Sequence, residues 1–458
     1  MEALRPLKRI NLDDLKDSFQ HIPWDFRGRV TDVVGTLIEA TLPGSHVGSI
    51  VGISSPDRRD MIVAEVVGFR KERVLLLPYS HLNGVSAGST VQALESFSQV
   101  PIGDHLLGHV LDPFMNRLDG GKFENIGPTV LCDIEKEAPN PIERQRISRP
   151  MSLGIRALDA LLTFGEGQRV GIMAGSGVGK SVLMGMIAKS SEADINVIAL
   201  IGERGREVRE FIERDLGAEG LRRSVVIVVT SDQSPLMRIR GAKLATTIAE
   251  YFSGKKLSVL LMLDSLTRVA MAQREIGNTV GEPPTTKGYT PSVFSLLPKL
   301  LERTGPQKTG HGNISGLYTV LVDGDDFNDP IADAARSILD GHVVLTRELA
   351  VKGHFPAIDV TASASRVMSD IVPQAQWQLA SYFRELLGVF NSNLDLIQIG
   401  AYQAGTNPKL DEAIRLMPIF ESFLKQGINE HSNYDEAVTG LRRILSGQNP
   451  ISARSMAS

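Results

Sequence analysis

Short runs of apolar and β-branched residues recur near the start of the chain, separated by glycine, proline, asparagine or charged residues. Short strands at such spacing are typical of a small β-barrel. No set of residues in this region suggests catalysis, so we predict a structural barrel domain over residues 25–96. Its candidate strands are residues 29–42, 46–53, 61–69, 73–78 and 90–94.

Farther along, continuous apolar runs alternate with segments of helical periodicity. Apolar strands between helices are typical of a mostly parallel sheet that is covered on both faces. We therefore predict an α/β domain over residues 97–372, in which residues 100–150 are a connecting region. The predicted strands are residues 196–201, 224–230, 257–264, 318–322 and 342–346, and the predicted helices include 208–216, 239–253 and 332–339.

Both ends of the chain favour helices. After residue 375 the strand pattern stops, and a helical stripe predicts a C-terminal helical domain over residues 373–458 with a disordered polar tail. That stripe is Leu379, Phe383, Leu386, Leu387 and Phe390. Residues 1–24 contain a short amphipathic helix that carries Leu12, Leu15 and Phe19. This helix either packs on its own domain or binds a partner protein, and the residue pattern is compatible with both interpretations.

Composition narrows the class of protein. The 458 residues predict about three domains. A net charge of −4 and the lack of a long basic run argue against nucleic acid as the main partner. No segment has the length and apolar character of a signal peptide or a membrane span. The single cysteine, Cys132, fits a reducing compartment and an apolar packing role, so we expect a cytoplasmic protein.

A glycine-rich loop between a predicted strand and a predicted helix is the strongest chemical signal. In that context, the loop amides and the positive end of the helix dipole form a cradle for phosphate. Lys180 would reach the β- and γ-phosphates, and the Ser181 hydroxyl would bind Mg²⁺. The strict pattern has glycine where this chain has Ala174, and a chance Lys-Ser pair after a glycine turn is the alternative. The loop itself is Gly175, Ser176, Gly177, Val178 and Gly179.

Two carboxylates follow predicted strands of the same sheet. Asp264 ends an apolar run and is predicted to hold Mg²⁺ through its water shell, although it could instead cap the next helix. Glu203 ends the strand after the phosphate-loop helix, where a carboxylate could orient the water that attacks ATP. Next to it, Arg204 could contact phosphate. Glu207 and Arg209 are interpreted as members of a salt-bridged helix face.

Together these segments resemble the type III protein-export ATPases, and the flagellar branch fits best. That family is similar to the catalytic β subunit of rotary ATP synthases. The resemblance covers about residues 25–445. The segments that carry it are 174–181, 202–207, 264–268, 271–275, 281–289 and 325–342.

The resemblance implies a RecA-like core and Mg²⁺-dependent ATP hydrolysis by a ring of six identical subunits. Hydrolysis would power or prime the export of flagellar proteins. A virulence-type secretion ATPase is the alternative, and a non-catalytic rotary ATPase subunit is a weaker one because Glu203 is present. An RNA-translocating hexamer is disfavoured by the acidic net charge and by the lack of an aromatic and basic stacking surface in the barrel.

The resemblance also assigns roles within the ring. Glu203 would be the catalytic carboxylate, and Phe355 would place its ring against adenine, with a core phenylalanine as the equal alternative. Arg366 would reach into the neighbouring subunit's site, whereas a surface salt bridge is the alternative. The 281–289 loop would face the central channel, or it is a structural loop only.

Partners follow from the same resemblance. They are other copies of the chain, a regulatory or stator-like protein at the N-terminal helix, and a central stalk-like protein. The export gate, chaperones and exported flagellar proteins would meet the C-terminal domain. Contact with the inner face of the cell membrane would be peripheral and would depend on these partners.

Overall fold

The computed structural model describes residues 27–54, 61–94, 98–123, 126–322 and 329–446. These residues fall into two compact units, the first ending at Phe97 and the second beginning at Ser98. The predicted N-terminal helix and nearly all of the predicted polar tail lie outside the described residues.

The first unit is a closed antiparallel barrel, which confirms the predicted barrel. Its strands are β1 (Arg27–Val34), β2 (Leu37–Thr41), β3 (Ile50–Ser54), β4 (Ile62–Arg70), β5 (Arg73–Pro78) and β6 (Thr90–Ala93). They pair in the order β1-β2-β5-β4-β3-β6. The predicted run over residues 29–42 is wrong as a single strand, because a turn at Gly35, with a φ of +61°, divides it into two paired strands.

The second unit is built on an eight-stranded sheet. Its strands are β8 (Val110–Leu111), β10 (Arg169–Ala174), β11 (Ile195–Glu203), β12 (Ser224–Thr230), β13 (Val259–Asp264), β14 (Ile314–Leu321), β15 (Gly341–Leu345) and β16 (Ile358–Ser365). Their order in the sheet is β16-β15-β10-β14-β13-β11-β12-β8. Neighbouring strands are parallel except for β15 and β16, so the predicted α/β class is confirmed.

The region over residues 100–150 is more than a connection. It supplies β8, which pairs with β12 at the edge of the large sheet. It also holds most of a separate antiparallel pair, β7 (Gln99–Ile102) with β9 (Val130–Asp133). These strands are too short to leave a clear periodicity, which explains why only a connecting region was predicted here.

Helices follow most of the strands of the large sheet. They begin with α1 (Arg156–Leu161), α2 (Lys180–Ser190), α3 (Gly205–Glu210), a π-helical stretch (Phe211–Leu216), α4 (Gly217–Arg222), α5 (Pro235–Gly254), α6 (Leu266–Val280) and α7 (Pro291–Leu301). They continue with α8 (Pro330–Ile338), α9 (Arg347–Val351), α10 (Met368–Ile371), α11 (Gln374–Ser392), α12 (Leu394–Gln398), α13 (Pro408–Leu424) and α14 (Tyr434–Leu445).

The C-terminal helices pack on one another and on the sheet domain. The rings of Phe383 in α11 and Phe420 in α13 stack with centroids 3.8 Å apart. Polar contacts also join these helices to the sheet domain. Nε of Arg156 donates to the carbonyl oxygen of Phe423 at 3.0 Å, and the Ser190 hydroxyl lies 2.9 Å from Nδ1 of His431. The proposed boundary at residues 372/373 stays a prediction, because sheet and helices share one apolar core.

Candidate active site

The parallel sheet gathers the predicted site residues at the carboxyl ends of its central strands. Strand β10 ends at Ala174 and leads through the glycine-rich loop into α2, whose first residue is Lys180. Glu203 and Asp264 are the last residues of β11 and β13. Ligands of open α/β sheets bind at this edge, because the loops and helix N-termini meet there.

The glycine-rich loop needs glycine where its backbone turns. Gly177 and Gly179 have φ angles of +78° and +90°, which residues with a Cβ rarely adopt. Val178 is 1% exposed and anchors the loop in the core, while Ser176 is exposed. Ala174 does not disturb the loop, because it is the buried last residue of the strand.

Lys180 connects the two carboxylates. Its Nζ forms an ion pair with Oδ1 of Asp264 and lies 3.5 Å from Oε1 of Glu203. Burial by itself lowers the pKa of Lys180, but the charges of Asp264 and Glu203 outweigh burial and raise the pKa above its usual value. The lysine is therefore a permanent cation at the place where phosphate charge would bind.

Glu203 is a carboxyl group that titrates close to neutral pH. Burial raises its pKa to about 7, and the nearby carboxyl groups of Asp264 and Glu207 act in the same direction, while Lys180 opposes them. A general base works best when its pKa lies near the working pH. The environment of Glu203 therefore suits the activation of a water molecule.

Asp264 is held by its neighbours and does not cap the following helix. The carboxylate is buried and accepts a hydrogen bond from the Thr319 hydroxyl at 2.6 Å. The cap of α6 is Ser265, whose side chain accepts from the backbone amide of Arg268. The alternative in which Asp264 serves as the helix cap is therefore wrong.

The donor set suits Mg²⁺ that arrives with a nucleotide. The Ser181 hydroxyl lies in the first turn of α2, and Asp264 supplies a buried carboxylate. Within the described residues, no group of three or more histidine, cysteine, aspartate or glutamate side chains could hold a metal alone. Mg²⁺ usually takes one or two protein oxygens and completes its shell with phosphate and water. The available residues fit that pattern.

Two further predicted residues, Arg204 and Arg366, make no contact with these carboxylates in the described structure. Arg204 has a side chain that is 79% exposed and pairs with Glu207 at 3.3 Å. Arg366 directly follows β16 at the edge of the sheet, and its Nη2 donates to the carbonyl oxygen of Arg336 at 2.9 Å. The structure thus brings together Lys180, Glu203 and Asp264, whereas Arg366 lies at a different edge of the sheet.

Phe355 borders the phosphate loop. Its ring is 3.5 Å from the point where a Cβ on Gly179 would lie, and the residue is 47% exposed. The alternative in which Phe355 is a core residue is therefore wrong, because the ring offers an open aromatic face beside the loop.

Two residues beside this cluster were not predicted to have a role. Thr319 of β14 donates to Asp264, and its only signal in the sequence is a hydroxyl within an apolar run. Arg268, in the first turn of α6, packs so closely on Gly202 that a Cβ there would lie 2.8 Å from its own Cβ. Arg268 belongs to the 264–268 segment of the family resemblance, but its contact with Gly202 depends on the packing of α6 on β11.

Comparison with known proteins gives one consistent picture. Residues 154–365 match the model of the ATP synthase alpha/beta family, nucleotide-binding domain. Residues 372–443 match the model of the T3SS EscN ATPase C-terminal domain.

Relatives match over nearly the whole chain. The flagellum-specific ATP synthase of Bacillus subtilis is 51% identical over 96% of this chain and 98% of its own length. The type 3 secretion system ATPase of Sinorhizobium fredii is 47% identical, covering 92% of each protein. The assembled ATPase EscN of enteropathogenic E. coli, solved with its central stalk EscO, is 42% identical with a TM-score of 0.82, over 91% of this chain and 100% of that one.

Proposed function

This chain belongs to the family of flagellum-specific ATP synthases and type 3 secretion system ATPases, and we propose that it is a flagellar member that works with Mg²⁺ as a ring of six subunits. It is an ATP hydrolase of a protein-export system. The cluster of Lys180, Glu203 and Asp264 at neighbouring strand ends is the observation that carries the proposal.

The residues of the cluster divide the chemistry among them. Lys180 binds the β- and γ-phosphates, and the amides of the loop from Gly175 to Gly179 surround them. Glu203 accepts a hydrogen bond from the attacking water and orients it toward the γ-phosphorus. As the new P–O bond forms, Glu203 takes the proton of the water, and the bond from the γ-phosphorus to the bridging oxygen breaks and releases ADP. Asp264 and the Ser181 hydroxyl would hold Mg²⁺, which would supply positive charge to neutralise the charge that develops on the phosphate oxygens.

In the ring, each nucleotide site would receive an arginine from the neighbouring subunit. In the proposed assembly Arg366 contacts the γ-phosphate bound by the next subunit and stabilises charge in the transition state, and Arg204 supports the same phosphate. Two observations support this arrangement. Arg366 is exposed and lies away from its own subunit's cluster, and the EscN relative was solved as an assembled ATPase.

The same relative was solved with a central stalk, so we propose a stalk-like partner for this chain as well. The candidate contact is the loop over residues 281–289. It is held at its base by the carboxylate of Glu282, which accepts from the amide of Ser292 at 2.8 Å, and by Arg274, whose guanidinium lies 5.0 Å from the Tyr289 ring. A loop fixed at its base and rich in glycine and proline suits contact with a passing or rotating chain.

Further partners are proposed on the resemblance. They are a regulatory, stator-like protein at the N-terminal segment, and the export gate, chaperones and exported flagellar proteins at the C-terminal helices. The cytoplasmic protein would meet the inner face of the cell membrane only through them. No helix in the described ranges combines the length and apolar character that crossing a bilayer requires.

A virulence-type secretion ATPase is the second candidate, because secretion relatives are as similar to this chain as several flagellar ones. Expression in a Bacillus subtilis strain that lacks its own flagellum-specific ATP synthase separates the two. We expect the chain to restore flagellin export there, and the Glu203→Gln variant to fail. Restoration only in a strain that lacks a secretion ATPase would reverse the assignment.

The activity itself is tested by ATP turnover of the purified chain, with and without Mg²⁺ and with and without RNA. We expect Mg²⁺-dependent turnover that RNA does not stimulate. Turnover that appears only with RNA would indicate a nucleic-acid translocase, and no turnover would indicate a non-catalytic subunit.

A further inference from the structure

We propose that Thr319 is a positioning residue for Asp264, holding the carboxylate in place while the cation paired with it changes from Lys180 to the Mg²⁺ that arrives with ATP. This inference rests on the proposed function, because it concerns the same nucleotide site. It adds a residue that neither the phosphate-loop motif nor the terminal carboxylates predict.

Thr319 lies where the strands of the site meet. It belongs to β14, which runs between β10, the strand before the phosphate loop, and β13, the strand that ends at Asp264. Its backbone is paired with Ile172 of β10, and the residue before it, Tyr318, is paired with Leu263. The Thr319 side chain is fully buried, and its Oγ1 donates to Oδ1 of Asp264 at 2.6 Å.

The same oxygen, Oδ1 of Asp264, also contacts Nζ of Lys180. Lys180 cannot keep this ion pair and bind the β- and γ-phosphates fully, so nucleotide binding draws it away from Asp264. The carboxylate is only 3% exposed, and a buried carboxylate that has lost its cation is costly. A second cation, Mg²⁺, removes that cost by taking the place of the lysine.

The Thr319 hydrogen bond does not need to break in this exchange. It fixes Oδ1 against β14 and leaves Oδ2 available to the water shell of the metal. A free carboxylate would have to be ordered again when Lys180 leaves. Metal sites whose outer hydrogen-bond partners are removed typically lose about tenfold or more in metal affinity or activity.

The position itself favours a function beyond packing. Thr319 is flanked in β14 by Tyr318 and Val320, and valine would fill the same volume in this apolar strand. A buried hydroxyl is costly unless it is hydrogen-bonded. Its acceptors are the Asp264 carboxylate and, at 3.5 Å, the carbonyl oxygen of Leu263. The buried Thr319 hydroxyl is therefore satisfied chiefly by its hydrogen bond to the Asp264 carboxylate.

The test is Thr319→Val, with ADP affinity measured by titration calorimetry in Mg²⁺ and in EDTA. We expect Mg²⁺ to strengthen ADP binding in the parent, and a parent in which it does not would overturn the inference. We expect Thr319→Val to reduce this enhancement by about tenfold while metal-free ADP binds as before. Thr319→Ser, which keeps the hydroxyl, should restore the enhancement. Thr319→Ala should show the same loss as valine, so the test does not depend on one variant folding.

Thr246→Val is the matched control. Thr246 is 1% exposed in α5 of the same unit, and its hydroxyl donates to the carbonyl oxygen of Ala242 in the same helix. It should keep the full Mg²⁺ enhancement. If the parent hydrolyses ATP, either of two results overturns the positioning role and leaves the proposed function intact. The first is a full Mg²⁺ enhancement of ADP binding in Thr319→Val, and the second is a loss of enhancement in Thr319→Ser as large as in Thr319→Val. A parent without ATP turnover overturns the proposed function together with this inference.

Discussion

The ring of Phe355 lies against Gly179, the last glycine of the phosphate loop, so an open aromatic face borders the point where α2 begins. Phe355 is far along the chain from the loop, and its backbone carbonyl accepts from the amide of Gln426 at 2.9 Å. The backbone at Phe355 is therefore held by the segment after α13, and we expect the exposed ring to stack on the base of a nucleotide.

The first prediction tests this stacking. Phe355→Ala should weaken ATP binding by about 1–3 kcal/mol, which is the usual value of stacking a base on an aromatic side chain. Binding of tripolyphosphate, which has no base, should not change. The measurement is competition against a fluorescent nucleotide, with Phe355→Tyr as the control that keeps an aromatic ring. Equal weakening for both ligands would show that the ring supports the loop instead.

The second prediction concerns the chemical step. Glu203→Gln keeps the size of the side chain but removes the carboxylate that activates water. We expect ATP to bind while turnover falls by at least about a hundredfold, the lower end for losing a positioned base. Steady-state turnover and equilibrium binding on the same preparation separate the two effects. Near-normal turnover would remove Glu203 from the mechanism.

The third prediction is a pH dependence. The folded protein raises the pKa of Glu203 to about 7, chiefly through burial, so the base is protonated and inactive at lower pH. We expect kcat/KM to rise with pH and to level off above about 7, since this ratio reports the groups of the free enzyme. A profile that is flat from about pH 5.5 to 8.5 would contradict the assignment.

Stability provides an independent check on the same group. A carboxyl whose pKa is raised by folding binds more protons in the folded than in the unfolded state between its two pKa values, so the free energy of unfolding falls as pH rises from about 4.5 to 7. Glu203→Gln removes this group. Its gain in stability over the parent should therefore be larger at about pH 8 than at about pH 5 in nucleotide-free denaturation.

The fourth prediction joins Arg366 to assembly. If Arg366 acts on the neighbour's nucleotide, specific activity should rise with protein concentration as rings form. Arg366→Ala should abolish that rise and lower turnover by about 10³-fold or more, as for other arginine fingers. Each subunit should still bind Mg-ATP through its own Lys180 and Asp264.

Mixing variants tests the trans role directly. Rings that combine Arg366→Ala with Glu203→Gln subunits contain some interfaces with an intact Glu203 and an intact Arg366. A ring made of either variant alone contains no such interface. Activity should therefore partly return. A mixture that co-assembles but remains inactive would overturn the trans role of Arg366, and full activity of the monomer would remove the ring requirement.

The phosphate loop could be predicted from the sequence because its geometry is local. Glycines at fixed spacing before Lys180 are needed by the backbone itself, and the structure shows positive φ angles at Gly177 and Gly179. Glu203 and Asp264 could be predicted as neighbours because parallel strands carry their last residues to one edge. The β-barrel followed from short strands, although one turn within them was missed at Gly35.

The features that could not be predicted from the sequence depend on contacts between segments that are distant along the chain. Strand β8 has two residues, so its pairing with β12 is fixed by the sheet and not by its own pattern. The role of Thr319 depends on its proximity to Asp264, which no local pattern contains. Phe355 could not be distinguished from a core residue until its neighbour, Gly179, was known.

Helix α2 is one rigid piece with a different contact at each end. Its first residue, Lys180, contacts the Asp264 carboxylate, and its last residue, Ser190, contacts His431 in the loop before α14. Its 11 residues span about 16 Å at the usual helical rise. A tilt of its first turn, when Lys180 changes partners, becomes a displacement of its last. A movement of Lys180 on nucleotide binding would therefore be transmitted along α2 to the segment before α14, through the contact of Ser190 with His431.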